Sequence, residues 1–291
     1  MIVSAERLSE WLKEDGVDTV VADCRFTLGK PDEGREAYAA GRLPGAVYLD
    51  LEEDLSSPVG EHGGRHPLPD LDRLAAKLGR FGIGPRTRVV AYDAQGGAMA
   101  SRLWWLLRYI GHEQAYVLDG GIGAWIASGG EIETGEPRGT GLEPTVFVPR
   151  PQPHLLASVD EVRAASSAIR SGQAGAPLLI DSRERPRYLG ETEPIDKLAG
   201  HIPGAVNRFW KDALDEQGRW KDAAGQAARF ADLGAEPDRE IIVYCGSGVT
   251  ACPNVLALRQ AGYRNVRLYA GSWSDWISYP DNPIATGEEK K

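Results

Sequence analysis

The chain is 291 residues long, 42% hydrophobic and 26% charged, which fits a globular protein with length for two ordinary domains. Its 42 acidic residues outnumber its 33 basic ones for a formal net charge of −9. That balance argues against a general nucleic-acid or anionic-membrane binder, because both need a basic surface.

The first residues, MIVSAERLSEWLKEDG, carry no basic segment followed by an apolar core, so no signal peptide is read there. Val20-Val21-Ala22, Arg88 to Tyr92 and Ala115 to Leu118 read as buried strands, with helical patterns between them such as Leu71 to Gly79. The most apolar stretch, Leu103 to Leu107, is bounded by Arg102 and Arg108 and is far too short to span a bilayer. Residues 136–153 are rich in Gly and Pro and read as a linker, with Thr145 to Val148 lying along a domain surface. Beyond it, Leu178-Leu179-Ile180, Ile241 to Tyr244 and Val266 to Tyr269 are strands, and Val249 to Ala261 is a helix. Three cysteines, Cys24, Cys245 and Cys252, make no disulfide framework. Free thiols and the absence of a leader point to the cytoplasm.

These elements repeat. Asp23 answers Asp181 at an offset of 158, Pro44 answers Pro203 at 159, Tyr92 answers Tyr244 at 152 and Trp125 answers Trp276 at 151. Four landmarks in one order mark a tandem duplication. The expected architecture is α/β, an open parallel sheet flanked by helices in each half. The domains are read as 1–135 and 154–291.

The segment that carries chemistry is Tyr244-Cys245-Gly246-Ser247-Gly248-Val249-Thr250. It puts a cysteine where a buried strand ends, the place where open α/β sheets bind ligands. The glycines let the loop curl, so that the amides of Gly246, Ser247, Gly248, Val249 and Thr250 can form an anion cradle in front of a helix. Such surroundings favour a thiolate. A small buried hydrophobe is the commoner fate of a free cysteine, and it is the reading for Cys24 and Cys252. At Cys245 the strand–Cys–glycine loop–helix order favours the nucleophile.

Cys245 to Thr250, His201-Ile202-Pro203-Gly204-Ala205 and Gly271-Ser272-Trp273 with Trp276 together resemble the two-domain rhodaneses, the thiosulfate and 3-mercaptopyruvate sulfurtransferases. The resemblance covers both halves and implies two tandem rhodanese-like domains. The first would be inert, since Asp93 stands where Cys245 stands in the second. It further implies that Cys245 takes sulfur from a small anionic donor as a persulfide and passes it to a thiol, such as that of thioredoxin, or to cyanide. No cofactor and no metal are implied.

Loops of the Gly-Ser-Gly kind imply 3-mercaptopyruvate as donor, with thiosulfate as the alternative. The resemblance also makes Arg187 the substrate clamp, against a solvated helix arginine, and Arg183 a structural ion-pair partner. Ser247 would act in catalysis, with His66 and Glu52 as a possible proton relay, against an ordinary loop histidine at 66. A second arginine expected before His201 has no match, and Lys197 is the nearest cation. His201 is expected to brace its turn. A cysteine phosphatase would need an arginine at position 251, which is alanine. A non-enzymatic interaction module would be expected to have lost Cys245.

Overall fold

Strand β2 (Thr19–Asp23), β4 (Arg88–Tyr92) and β5 (Ala115–Leu118) form the centre of a five-stranded parallel sheet in a computed structural model that describes residues 1–289. Short β1 (Ile2–Val3) and β3 (Val47–Tyr48) complete it in the order β1-β5-β4-β2-β3. Helices α1 (Ala5–Trp11), α2 (Glu33–Ala40), α3 (Leu71–Arg80), α4 (Ala98–Tyr109) and α5 (Gly121–Ala127) connect the strands. The second sheet is β6 (Leu178–Asp181), β7 (Ala205–Asn207), β8 (Ile241–Tyr244) and β9 (Val266–Leu268), all parallel, ordered β7-β6-β8-β9. Its helices are α6 (Val159–Arg170), α7 (Arg185–Leu189), α8 (Ala223–Phe230), α9 (Cys252–Gln260) and α10 (Ser272–Trp276). Strands with helices as crossovers are why the apolar runs are continuous: β8 is buried at every position, as a central parallel strand requires.

The chain divides into two compact units that do not follow the order of the sequence. One comprises Met1–Ser57, Pro69–Gln152 and Glu216–Trp220; the other comprises Pro58–Leu68, Pro153–Asp215 and Lys221–Lys291. The connection rich in Gly and Pro runs along the first unit. Thr145 N–H donates to Gly79 O (2.9 Å) and Arg150 N–H to Ile110 O (2.8 Å), leaving Val146 and Val148 exposed.

Each unit has its own core, Leu8, Val21, Val90 and Trp125 in the first, Val162, Leu179, Ile242, Trp273 and Trp276 in the second. The repeat extends to buried polar chemistry. In register Asp23 lies opposite Tyr92 and Asp181 opposite Tyr244. Arg25 pairs with Asp23 and donates to Gly41 O (2.7 Å); Arg183 pairs with Asp181 (2.7 Å) and donates to Gly200 O (2.6 Å). The phenol oxygens of Tyr92 and Tyr244 accept the amides of Leu43 (3.3 Å) and Ile202 (3.1 Å). Arg183 is therefore the structural partner the sequence suggests. Burial disfavours its charge, but Asp181 more than offsets that and holds its proton more tightly than usual.

One expectation needs correction. The helix after the cysteine loop begins at Cys252, not at Val249. Pro253 has no N–H to give to Val249 O, which instead takes the Cys252 amide in a tighter turn (3.0 Å).

Candidate active site

Cys245 follows β8 directly and is 1% exposed. Its surroundings hold it in place from both sides of the peptide. Its N–H donates to Ser272 Oγ (3.1 Å), and its carbonyl accepts Trp273 N–H (3.0 Å). The next carbonyl, that of Gly246, accepts Ser274 N–H (2.9 Å). Ser272 has φ 56°, a left-handed conformation uncommon outside glycine, and its hydroxyl also donates to Tyr269 O (2.9 Å).

The loop then turns back. Gly248 has φ 76°, and its N–H donates to Cys245 Sγ at 3.2 Å. A Cβ at Gly248 would stand 2.1 Å from Ala270 O, so both conformation and space require glycine. Cys252 closes the turn from below, its thiol donating to Gly248 O (3.3 Å).

The corresponding loop of the first unit indicates what this geometry holds. Asp93 follows β4 as Cys245 follows β8, and Gly96 has φ 77° where Gly248 has 76°. The Asp93 carboxylate accepts four backbone N–H groups, from Gln95, Gly97 and Met99 at 2.8 Å each and from Ala100 at 3.0 Å. The equivalent turns thus hold four amides on a carboxylate in one unit and aim the Gly248 amide at a cysteine sulfur in the other. Cys24 is as deeply buried as Cys245, and burial with the nearby Asp23 and Asp93 charges pushes the Cys24 thiol far above its ordinary pKa.

Arg187 of α7 reaches the loop, with Nη2 3.6 Å and Nη1 3.8 Å from where a Cβ of Gly246 would be. It is not solvated: Nη2 donates to Glu193 (2.7 Å) and Asp196 (3.1 Å). Lys197 is exposed. The second cation at the loop is Arg65, which sequence reasoning missed. Its Nη2 lies 2.9 Å from the same Gly246 position, and its Nη1 pairs with Asp196. Burial lowers the proton affinity of this guanidinium, while Cys245 raises it.

A signal was present. Gly64-Arg65-His66 answers Gly218-Arg219-Trp220 at an offset of 154 (218 less 64), inside the range set by the other landmarks. Pro58–Leu68 packs in the second unit and Glu216–Trp220 in the first. Trp220 N–H donates to Asp119 Oδ1 (2.8 Å), and its indole would meet a Cβ at Gly97 at 3.1 Å.

His66 is buried, and its Nδ1 lies 2.7 Å from Ser247 Oγ, so these two expected partners come together. Glu52 lies in the turn after β3, in the other unit, with its N–H on Asp50 Oδ1 (2.8 Å). His201 braces its turn as expected, with Nδ1 2.8 Å from Tyr188 O and its N–H on Ala285 O (2.9 Å).

A family model described as a rhodanese-like domain matches residues 4–128 and again 163–279. A probable 3-mercaptopyruvate sulfurtransferase of Pseudomonas aeruginosa is 45% identical over 290 residues, 99% of this chain and 98% of its own. A putative thiosulfate sulfurtransferase of Mycobacterium tuberculosis is 36% identical, with 99% and 97% covered. The crystal structure of the 3-mercaptopyruvate sulfotransferase SseA from Escherichia coli aligns with a TM-score of 0.76 at 31% identity, over 94% of this chain and 98% of that one. The duplicated sheets, the matching loops after β4 and β8 and these matches agree: the chain belongs to the rhodanese family, as two rhodanese-like domains in tandem.

Proposed function

We propose that Cys245 accepts a sulfur atom from 3-mercaptopyruvate, holds it as a persulfide and delivers it to a thiol or to cyanide. The chain is a sulfurtransferase, the activity its curated relatives carry in their names. The observation that carries the finer reading is the Gly248 N–H aimed at Cys245 Sγ. An amide in that position stabilises negative sulfur before and after transfer. The amides of Gly246, Ser247, Val249 and Thr250 complete the cradle in this reading.

The Cys245 thiolate attacks the thiol sulfur of the donor. The new S–S bond forms as the C–S bond breaks, and its electron pair leaves on carbon as the enolate of pyruvate. The proton of the transferred sulfur then reaches that carbon through Ser247 and His66, leaving a persulfide anion and pyruvate. Glu52 is the outer member of the path on the family resemblance alone. Arg187 binds the donor's carboxylate. An acceptor thiol such as that of thioredoxin, or cyanide, attacks the outer sulfur in a second half-reaction, which gives ping-pong kinetics.

Thiosulfate is the second reading, favoured by two guanidinium groups at Gly246 and by the names of several relatives. With it, attack on the sulfane sulfur releases sulfite. Three unpaired cysteines support a reducing compartment, the cytoplasm.

Intact-mass measurement after incubation with each donor is the test. A gain of one sulfur that is absent in Cys245→Ser is expected; an unchanged wild-type mass with both donors sinks the reading.

A further inference from the structure

Residues 283–289 run back over the second unit and are tied to it mainly through the main chain. Trp276 Nε1 donates to Pro283 O (2.9 Å). His201 N–H donates to Ala285 O (2.9 Å), and Ala285 N–H returns a bond to His201 O (3.0 Å). Gly287 N–H donates to Leu189 O (2.9 Å), the last carbonyl of α7. Missing side chains allow the close fit: a Cβ at Gly200 would stand 2.4 Å from Ala285 O, and one at Gly190 2.7 Å from Thr286 Cγ2. With five residues, α7 is too short to be held by its own bonds. The tail is therefore part of what fixes α7, the element that carries Arg187.

The first unit has the same ladder with different chemistry. Arg42 and Glu133 exchange main-chain bonds (3.0 and 2.9 Å) as His201 and Ala285 do. His201 stands 159 residues after Arg42 (201 less 42), and Gly204 stands 159 after Gly45 (204 less 45). Glu133 closes the first ladder by accepting from Arg42 and from Gly45 N–H. Position 285 is alanine, and the carboxylate comes instead from Glu289, which meets His201 Nε2 (3.2 Å) and Gly204 N–H (2.6 Å). A permanent cation in one unit is thus replaced by a titratable one in the other.

The His201 ring is fully buried, and both its nitrogens are engaged. Nδ1 lies 2.8 Å from Tyr188 O, a carbonyl that can only accept, so Nδ1 carries hydrogen. A neutral imidazole has only that one hydrogen, which leaves the lone pair of Nε2 against the Glu289 carboxylate. With a second proton both nitrogens donate, and the ring carries the charge that the carboxylate balances. The neighbouring groups fix the ring but do not replace that proton. Tyr188 stacks on it with centroids 3.9 Å apart and spends its hydroxyl on Ala205 O (2.8 Å). Glu288 pairs with Arg185, and Asp181 pairs with Arg183.

We propose that residues 283–289 are a pH-operated strap, closed over α7 and the turn after His201 while His201 is protonated and loosened when it is not. The strap goes beyond the sulfur-transfer reading and does not depend on which donor Arg187 binds. Falling pH closes it, and rising pH opens it, across the range in which histidine titrates. The first unit, with Arg42 in the corresponding place, keeps its clamp through that range.

Amide hydrogen exchange of the full-length protein tests this, read by mass spectrometry at about pH 6 and about pH 8.5 and corrected for the intrinsic rate. The peptide spanning 284–289 should exchange about tenfold to a hundredfold faster at the higher pH, as loss of one charge-assisted hydrogen bond implies. Glu289→Gln should exchange at one corrected rate at both pH values, because an amide can meet either form of the ring. Glu289→Ala should show the fast rate at both. Equal corrected rates in the wild type overturn the strap, as does a pH response that survives in both variants. A rise shared equally by the peptide around Arg42 also overturns it. Sulfur loading at Cys245 decides the transfer reading separately.

Discussion

The 2.7 Å contact between His66 Nδ1 and Ser247 Oγ gives the two donors different needs. Pyruvate leaves as an enolate that has to be protonated on carbon, whereas sulfite is a stable anion when it departs. Ser247→Ala and His66→Ala should therefore lower turnover of mercaptopyruvate about a hundredfold while thiosulfate turnover stays within a few-fold; steady-state kinetics with both donors reads this. Equal losses on both donors would remove the proton path. Gly248→Ala is a second single-residue test. With φ 76° and a Cβ 2.1 Å from Ala270 O, alanine cannot keep the loop, and mass spectrometry should find no sulfur gained. Much of this site is legible in the sequence because the residues sit in one short run around Cys245. Arg65 is not, because it lies 180 residues earlier (245 less 65) and reaches the loop only through packing.

At the scale of elements, β-branched runs locate the strands, since a strand buried on both faces leaves no polar alternation to confuse the reading. The start of α9 is misread for a local reason: Val249 and Ala251 are apolar and continue the helical pattern, yet Pro253 denies the bond that would extend the helix backward. The turns after the Arg42 and His201 segments are clamped alike, Glu133 accepting Arg42 (2.7 Å) and Gly45 N–H (3.0 Å), Glu289 accepting His201 (3.2 Å) and Gly204 N–H (2.6 Å). Desolvation pushes the Glu133 carboxyl up, but the Gly45 and Arg138 amides and Arg42 outweigh it and hold it at about 2 against an ordinary 4.5. A depressed folded-state pKa means stability that is complete above pH 4.5 and is lost as pH falls toward 2. Melting temperature against pH should show that slope, and Glu133→Gln should flatten it. In the first unit's loop, Asp93→Ala strands four amide donors. The unit should lose about 3 kcal/mol or more, read by calorimetry as an earlier melting of that unit, with sulfur loading at Cys245 retained.

On the scale of the whole chain, duplication is plain in the sequence, and the exchange of segments is not. Repeats are matched by residue type, whereas membership of a folded unit is decided by which surfaces bury which side chains. Residues 58–68 and 216–220 each fold with the other half's unit. A protease cut beside the exposed Gly141 breaks the covalent link between the halves but neither crossing segment. The two fragments should co-elute on gel filtration under native conditions and part only in denaturant. Separation without denaturant would show that the crossing segments contribute little to cohesion.

The paired Gly-Arg-His and Gly-Arg-Trp segments also bear on dissection of the gene. Residues 64–66 are encoded with the first half yet group with the unit of Cys245, and residues 218–220 are encoded with the second half yet group with the unit of Asp93. A truncation that expresses either half by itself would therefore deliver each loop without the segment that packs in its unit.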